Sequence, residues 1–422
     1  MYALTLAALT VLSAQDSLSP GARRVLADLQ YLAADEREGR GVGTKGLEQA
    51  GSYIADAFRR AGLQAGGPAG SYSQDFTLAP DAPAVAHAGL GGASVRNVIG
   101  IVPGRSTALR GQVIVIGAHY DHLGLGGPNA LDPDSTGRVH NGADDNASGT
   151  AALLEIARLL RGARPARTIV LVAFSAEELG VIGSTWYVQH PAPQPVDSIY
   201  AMLNLDMVGR LREQRLLAIG AATAREFPAL LDSVNAAGGP GVEARFALTA
   251  SGDGWGASDH APFYAARRPV LHFFTDLHED YHRATDDWPK INADGVARIA
   301  GYVTAVALAL ADRSGPLTFV DAPRPQQASG SAGTSASLGT IPDMTGSPGG
   351  VRLTGVRSGS PAERAGIRAG DIIIALGGMR VADLYGMTDA LRARQPGDTV
   401  VVVVKRGAEE LRLTAVLGRR GG

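Results

Sequence analysis

The chain has 422 residues, 45% of them hydrophobic, which is too long for one ordinary domain and leads us to expect two. Its 39 basic and 41 acidic residues give a net charge of -2, so no general field would hold nucleic acid or an acidic membrane surface. Because the sequence contains no cysteine, any metal ion must be bound by histidine and carboxylate side chains.

The N-terminal segment 1–15, "MYALTLAALTVLSAQ", is an uncharged apolar run that ends in small residues. Such a run is typical of a signal peptide and is too short to cross a bilayer, so we expect an exported protein, periplasmic or extracellular. The run lacks a basic start, and a buried or frayed N-terminal helix is the alternative. No other segment approaches the about 18 unbroken apolar residues of a membrane span, so we expect none.

Residues 20–312 alternate between helical periodicity and short apolar runs. Helices are predicted in 20–62, with Gly62 as a C-cap, in 148–161 and in 292–312. The apolar runs resemble strands buried on both faces, and they cover 112–121, 167–174, 199–207 and 269–274. This alternation predicts an α/β domain with a mostly parallel mixed sheet and helices on both faces.

The composition changes after residue 312. Residues 313–336 are rich in Pro, Gly, Ser and Ala and contain few large apolar residues, which is typical of a linker. A second, smaller domain is then predicted over residues 337–420.

Polar side chains follow each predicted strand. In an open parallel sheet, ligands gather beyond the carboxyl ends of the strands. Three strands lead there to side chains that can bind metal: His119 and Asp121, Glu177 and Glu178, and Asp206. The fourth leads into "TDLHEDYHRATDD" (275–287), and "NGADDNASGT" (141–150) places Asp144 and Asp145 at a helix start. Each residue alone has a structural explanation, as a cap or a solvated turn, but together they predict a metal site.

Histidine and carboxylate ligands without thiolates favour zinc, and manganese or cobalt would accept the same donors. The set exceeds what one tetrahedral ion needs. Two ions that share a carboxylate, about 3.5–4 Å apart around a water molecule, would use all of these ligands.

The segments "AHYDHLG", "GADDNASG", "AEELG", "NLDM", "SDHAPF" and "YHRATDD" resemble, in order and spacing, the secreted co-catalytic dizinc aminopeptidases. Relatives of that family include glutamate carboxypeptidases and glutaminyl cyclases. The resemblance covers about residues 25–312 and implies the zinc exopeptidase fold. It implies one ion held by His119 and Asp206, a second held by Glu178 and His282, and Asp145 as the bridge between them.

The same resemblance implies further roles. Glu177 would be the general base, Asp121 would orient His119 through its second ring nitrogen, and Tyr281 would be the oxyanion donor. Asp145 is preferred to Asp144 because it immediately precedes "NASG". The family also implies a cis peptide bond between Asp145 and Asn146. Asp259 and His260 match the "SDH" segment, with a functional and a structural role both open.

The segment 278–282 also matches the H-E-x-x-H pattern of zinc proteases. That pattern needs a helix, yet the surrounding residues lack helical apolar periodicity and soon reach Pro289. We therefore interpret the match as accidental. His282 remains a ligand candidate, whereas His278 and Glu279 are predicted to be loop residues.

The C-terminal domain resembles a PDZ domain of the bacterial exported-protease type, most specifically in "SPAERAGIRAGDIIIALGG". The preceding loop, with Leu338, Gly339, Thr340 and Ile341, resembles the one whose backbone N–H groups bind a chain-terminal carboxylate. A degenerate domain used only for packing or dimerisation is the alternative.

These features predict an exported exopeptidase, an aminopeptidase that acts on peptides with a free N-terminus and uses two zinc ions. A glutaminyl cyclase-like transferase on the same fold is the competing enzyme. A non-catalytic protein that binds peptides through its PDZ domain is the alternative from another class.

Overall fold

The computed structural model describes residues 18–127, 129–135, 137–238, 245–323, 336–343 and 349–419. The predicted signal segment and residues 324–335 of the predicted linker lie outside the described residues. The chain divides into two compact units. The first contains the described residues up to Leu125 together with Arg138–Thr275 and Ala284–Asp321. The second contains Gly126–Gly137, Asp276–Arg283 and the described residues from Ala322 onward, so two segments predicted in the N-terminal domain group with the C-terminal one.

The described part of the first unit contains the helices predicted within 20–62, 148–161 and 292–312, together with four helices that were not predicted. They are α1 (Pro20–Leu32), α2 (Lys45–Ala61), α3 (Pro83–Ala88), α4 (Gly149–Leu159), α5 (Ile182–Gln189), α6 (Phe227–Ala237), α7 (His260–Ala265) and α8 (Ala293–Asp312). Helix α2 ends at Gly62, whose left-handed backbone (φ 85°) caps it as predicted. The prediction over 20–62 missed the irregular turn Asp35–Arg40, where Glu38, Gly39 and Arg40 have positive φ.

The strands of the first unit form one mixed sheet. They are β1 (Gln64–Ala65), β2 (Ser73–Thr77), β3 (Ser94–Val102), β4 (Val113–His119), β5 (Thr168–Phe174), β6 (Ile199–Leu205), β7 (Arg215–Ile219), β8 (Ala247–Ser251) and β9 (Val270–Phe274). Their order is β1-β3-β5-β4-β6-β9-β7-β8, and β2 also pairs with β3. The centre, β5-β4-β6-β9, is parallel, while β3 pairs with β5, and β7 with β9, in antiparallel fashion.

The sheet is buried on both faces, as its continuous apolar strands predict. Every residue of β4 is buried. Its alternate residues belong to two separate hydrophobic clusters: Ile114 and Ile116 to one, and Val113 and Val115 to the other. Because successive side chains of a strand point to opposite faces, the two clusters are the two sides of the sheet.

Helix α8 belongs to the core of the first unit. It packs against α1, α4 and α6. Among the described residues it alone is long and apolar enough to cross a membrane by length and composition, and 67% of that apolar window is buried. Its apolar residues are therefore used in packing within the unit.

The predicted linker is shorter than expected at its N-terminal end. Gly315 accepts a hydrogen bond from the Tyr200 hydroxyl (2.6 Å), and the backbone of Val320 donates to Thr223 (2.8 Å). Phe319 packs against the hydrophobic cluster that includes Val113. Residues 315–320 thus belong to the first unit because two apolar residues, Leu317 and Phe319, dock there.

The C-terminal part of the second unit is β-rich. Its elements are β10 (Ala336–Ser337), β11 (Thr340–Pro342), β12 (Val351–Val356), α9 (Pro361–Arg364), β13 (Ile372–Leu376), β14 (Met379–Arg380), α10 (Leu384–Arg392), β15 (Thr399–Arg406), β16 (Glu409–Val416) and β17 (Gly418–Arg419). The main sheet has the order β11-β12-β13-β15-β16. The predicted sequence of short helix, glycine turn and strand is confirmed in α9, Gly370 (φ 86°) and β13.

The predicted carboxylate-binding loop precedes and enters the edge strand β11. Leu338 is buried, and Gly339 has a left-handed backbone (φ 75°). The carbonyl groups of both residues accept backbone hydrogen bonds, from Ala362 and Arg357 respectively, while the Gly339 N–H donates to the Ser337 hydroxyl. Thr340 and Ile341 pair with β12. Peptide binding by these four residues stays a prediction.

Candidate metal centre

The carboxyl ends of the central parallel strands bring four segments of the first unit together. His119, the last residue of β4, lies opposite Phe174, the last residue of β5, and β6 runs parallel on the other side of β4. The residues that directly follow β5 and β6 therefore emerge beside His119. The turn Ala143–Ser148, which leads into α4, is tied to the end of β6 by the amide of Asn146, which donates to Leu205 O (3.0 Å).

The first ligand group consists of His119, Asp145 and Asp206, whose donor atoms all lie within 4.8 Å of one another. His119 Nε2 is 3.4 Å from Asp145 Oδ1 and 3.4 Å from Asp206 Oδ1. Glu177 Oε2 lies 4.0 Å from the same imidazole nitrogen. These are the residues that the sequence predicted for one ion and for the base.

The second ligand group consists of His122, Asp145 and Glu178. His122 Nδ1 lies 2.7 Å from Glu178 Oε1 and 3.9 Å from Asp145 Oδ2. Asp145 therefore belongs to both groups, with a different oxygen near each histidine. His122 was not predicted from the sequence, although it is the second histidine of "AHYDH", which could have indicated it.

Asp144 and Asp145 have different environments. The Asp144 Oδ1 atom accepts hydrogen bonds from Gly209 N (2.7 Å) and from Ser148 Oγ (2.8 Å). Asp144 thus ties its turn to the residues after β6, whereas Asp145 faces both histidines. The choice of Asp145 as the shared residue agrees with this geometry, and the predicted cis bond between Asp145 and Asn146 is confirmed.

Asp121 contacts the site differently from the prediction. His119 Nδ1 is 3.2 Å from the backbone oxygen of Asp121 but 3.8 Å from its carboxylate. The carboxylate instead accepts the backbone N–H groups of Glu177 (3.0 Å) and Glu178 (3.2 Å). Asp121 thus orients His119 through its main chain and fixes the loop of the two glutamates through its side chain.

Two further supports were not assigned from the sequence. Asp286 Oδ2 accepts the backbone N–H groups of Asp144 (2.8 Å) and Asp145 (3.1 Å). Ser258 Oγ donates to Asp206 Oδ2 (2.7 Å) and itself accepts from the Asn204 amide (2.8 Å). Hydrogen bonds of this kind fix the orientation of ligating carboxylates.

A close approach explains the glycine that begins the Asp145 turn. Gly142 has a left-handed backbone (φ 52°), and a Cβ atom there would lie 2.4 Å from the His122 ring and 2.1 Å from Asp145 O. A larger residue would therefore displace the second ligand group.

Asp259 and His260 are buried at the start of α7. The His260 ring stacks on His272, with 4.7 Å between the centroids. Neither residue belongs to a ligand group among the described residues. Ser258, the first residue of the "SDH" segment, contacts the predicted ligand Asp206.

The segment with His278, Tyr281 and His282 belongs to the second unit. It forms turns, not the helix that a zinc-protease H-E-x-x-H motif needs, which confirms that the match is accidental. His282 Nδ1 lies 2.9 Å from Asn129 O, and the Tyr281 ring stacks on the His282 ring. The roles of His282 as a ligand and of Tyr281 as an oxyanion donor stay predictions.

Burial of like charges perturbs the ionisation of the site. Burial raises the pKa of Glu177 well above its usual value, and Glu178 adds to the rise. Burial also raises the pKa of Asp121, to about 6. Burial lowers the pKa of His119, but Glu177 and Asp206 outweigh it, and the net pKa lies well above the usual value. Four buried or half-buried carboxylates around two imidazoles thus need added positive charge.

The donor set fits zinc. Imidazole nitrogens and carboxylate oxygens are ligands that zinc accepts, and each group supplies one histidine and two carboxylates. Three protein ligands with a free position are typical of catalytic zinc sites.

Comparison with known sequences agrees with the motifs. The description "Peptidase family M28" matches residues 97–307, which is half of the chain. The chain belongs to peptidase family M28. A "PDZ domain" matches residues 333–417, so this M28 chain carries a C-terminal PDZ domain.

The M28 region is also similar to individual proteins and to solved structures. "Aminopeptidase YwaD" of Bacillus subtilis (strain 168) is 30% identical over 217 residues, which are 50% of this chain and 43% of that protein. The chain therefore spans less than half the length of this relative. The structure of "BSAP, a zinc aminopeptidase from Bacillus subtilis" is similar with a TM-score of 0.53 and 19% identity, over 71% of this chain and 97% of that one.

A third similar protein is the "Bacteroides thetaiotaomicron glutaminyl cyclase bound to N-acetylhistamine". Its TM-score is 0.55 at 19% identity, over 69% of this chain and 99% of that one. At such identities the structures show the shared fold, and that fold is the predicted zinc exopeptidase fold.

Proposed function

We propose that this M28 chain is an aminopeptidase that binds two zinc ions and hydrolyses the first peptide bond of substrates with a free N-terminus. The observation that carries the proposal is the sharing of Asp145 by two ligand groups, with Glu177 beside the first. An aminopeptidase from Bacillus subtilis, 30% identical over half of the chain, supports the reaction class.

The first ion would be held by His119, Asp145 and Asp206. The second would be held by Asp145, Glu178 and a histidine, for which the family resemblance names His282 and the geometry of the first unit names His122. Bound zinc ions would lower the pKa of a water molecule and polarise the scissile carbonyl group. Manganese or cobalt could serve in the same positions.

Glu177 is proposed to move the proton. Its carboxylate lies on the side of His119 where Asp206 and Asp145 converge, and Asp121 holds its backbone in place. It would take a proton from the attacking water and give it to the leaving amine. Tyr281 is proposed to donate a hydrogen bond to the developing oxyanion.

A glutaminyl cyclase-like transferase is the second candidate, because a structure with that activity shares the fold. The two reactions would differ in what leaves the substrate. A cyclase would close an N-terminal glutaminyl residue on itself, whereas an aminopeptidase would release the residue.

One substrate panel separates these functions. The protein is incubated with zinc and with aminoacyl-arylamides, their N-acetylated equivalents and a glutaminyl peptide, with the Glu177→Gln variant as a matched control. We expect hydrolysis of the free arylamides, none of the blocked ones, and no loss of ammonia from the glutaminyl peptide. Equal hydrolysis of free and blocked substrates would contradict exopeptidase action.

Cyclisation without hydrolysis would instead establish the transferase. If zinc binds but no substrate reacts, while the PDZ domain binds C-terminal peptides in a fluorescence titration, the result would favour a non-catalytic protein that binds peptides.

Export and peptide binding are proposed as well. The apolar segment 1–15 supports export, and N-terminal sequencing of the protein recovered from a periplasmic fraction would locate any cleavage. The edge position of β11 supports addition of a peptide strand next to Thr340 and Ile341. Titration with peptides that carry a free or amidated C-terminus tests whether the carboxylate is bound.

A further inference from the structure

Arg40 is a fully buried arginine next to the metal centre, and its role was not predicted from the sequence. Its residue exposure is 0%, and it ends the irregular turn between α1 and α2 with a left-handed backbone (φ 47°). Arginine is rarely buried completely unless its charge and its donors are satisfied. Its contacts therefore indicate what this burial achieves.

The guanidinium group of Arg40 donates to four backbone carbonyl groups. Nε donates to Tyr120 O (2.8 Å), and Nη2 donates to Gly142 O (2.9 Å). Nη1 donates to Leu32 O (2.7 Å) and to Asn141 O (2.8 Å). Because the guanidinium group is planar and rigid, these bonds fix the carbonyl groups relative to one another.

Three of these carbonyl groups lie beside the ligands. Tyr120 stands between His119 and Asp121, and Gly142 begins the turn that carries Asp145. The same side chain thus holds the strand end with the first histidine and the turn with the shared carboxylate.

The backbone around Arg40 continues the connection. Arg40 O accepts the N–H of His122 (3.2 Å), and Gly39 O accepts the N–H of Gly124 (3.2 Å). A Cβ atom on Gly39 would lie 2.4 Å from His140 O and 2.5 Å from Gly124 O. The close approach therefore needs glycine, and it places the Arg40 main chain against the segment that carries His122.

The charge of Arg40 also matters. Burial lowers the pKa of Arg40 to about 10, while Asp121, Asp145 and Asp286 oppose the fall. The group remains a cation near neutral pH. It thus adds one fixed positive charge near the carboxylates, and its four hydrogen bonds described above all go to backbone carbonyl groups.

We propose that Arg40 is a positioning residue of the metal centre: its guanidinium group sets the separation of the His119 and Asp145 segments and so determines the affinity for zinc. The inference rests on the zinc binding proposed above. It concerns the geometry of both ligand groups, because His122 and Asp145 belong to segments that the Arg40 turn holds.

Arg167 is a matched control in the same unit. It is 1% exposed, and its guanidinium group also donates to backbone carbonyls, Ala311 O (3.2 Å) and Arg313 O, and to the Gln112 side chain (2.7 Å). It directly precedes β5, at the opposite end of the strand from Glu177. Its loss should therefore cost stability without changing the ligand segments.

The test measures zinc affinity by chelator competition, and thermal unfolding without metal, for Arg40→Ala, Arg40→Lys, Arg167→Ala and the unchanged full chain. We expect Arg40→Ala to weaken zinc binding about 10–100-fold, as for other residues that support ligands, and Arg167→Ala to leave it within about twofold. Arg40→Lys should also bind zinc more weakly, because an ammonium group keeps the charge but cannot reach the carbonyl groups of all three segments.

The outcomes are distinguishable. Unchanged zinc affinity in Arg40→Ala, or equal losses in the Arg40 and Arg167 variants, would overturn the inference and leave Arg40 a structural residue. If Arg40→Ala does not fold, the zinc affinity of Arg40→Lys is the test. A folded Arg40→Lys protein that binds zinc as tightly as the unchanged chain would overturn the role of the guanidinium group. If the unchanged chain binds no zinc, the proposed function fails instead.

Discussion

The two ligand groups of the centre differ in how their side chains are held. In the first group, His119 ends a buried strand and its carbonyl accepts the Thr150 hydroxyl (2.8 Å), while Asp206 is oriented by Ser258. In the second group, His122 and Glu178 belong to loops and contact each other directly. Strand ends are fixed by the sheet, whereas loops depend on hydrogen bonds from distant residues. We therefore expect the first group to bind zinc more tightly than the second.

The largest effect is expected from replacing Asp145, which both ligand groups share. Asp145→Asn should lose both zinc ions and reduce hydrolysis to background, because a neutral amide cannot offer one anionic oxygen to each ion. Asp144→Asn is the matched control, because Asp144 accepts hydrogen bonds from Gly209 and Ser148 and belongs to neither ligand group of the described residues. This substitution should lower the free energy of unfolding by about 1–3 kcal/mol and leave zinc bound.

Zinc content by elemental analysis and thermal unfolding measure both variants. Full zinc content in Asp145→Asn, with loss in Asp144→Asn, would exchange the two assignments.

A second variant separates chemistry from metal binding at the first group. Glu177→Gln should keep both ions and lower kcat by about 10²–10⁴-fold, because the amide fills the same space but cannot move a proton. The neighbouring Glu178→Gln should instead lose the second ion. Single-turnover kinetics and zinc content are measured for both. Turnover within tenfold of the unchanged protein would remove Glu177 from the base role.

Part of this comparison was readable from the sequence. Apolar runs predict where buried strands end, so His119 was identifiable at the end of β4, and Glu177 and Asp206 from their positions after β5 and β6. The family resemblance selected Asp145 over Asp144, because Asp145 immediately precedes "NASG". Such local signals work because a strand is encoded by its own residues.

The residues that hold the loops were missed for a physical reason. Arg40 contacts Tyr120 and Gly142, about 80 and 100 positions away, and Asp286 binds the Asp145 backbone across 141 positions. The periodicity of apolar residues carries no information on contacts between residues so far apart in the sequence. The antiparallel pairings of β3 with β5 and of β7 with β9 were likewise not predicted, because a buried antiparallel strand has the same apolar pattern as a parallel one. The glycines around Arg40, in "EGRGVG", could have indicated a turn inside the predicted helical stretch.

A histidine pair sharpens the definition of the second group. We expect His282→Ala to lose the second ion and nearly all activity, if the family resemblance holds for this residue. His122→Ala should lower the affinity for the second ion by about 10–100-fold without abolishing its binding, because His122 orients Glu178.

His278→Ala, in the same segment as His282, is the control and should hydrolyse substrate normally. Stepwise zinc titration followed by calorimetry counts the ions in each variant. Complete loss of the second ion in His122→Ala, together with normal behaviour of His282→Ala, would make His122 the ligand in place of His282.

The smallest effect is expected from replacing Ser258, which supports a ligand of the first group. Ser258→Ala removes the hydroxyl that donates to Asp206 Oδ2, so Asp206 should lose its fixed orientation and zinc affinity should fall about tenfold. Ser258→Thr keeps a hydroxyl and should recover most of the affinity, which separates orientation from simple packing. The same stepwise titration should show the change in the tighter of the two binding steps. A change confined to the weaker step would mean that the strand-end ligands form the looser site, and the expected order of the two groups would be reversed.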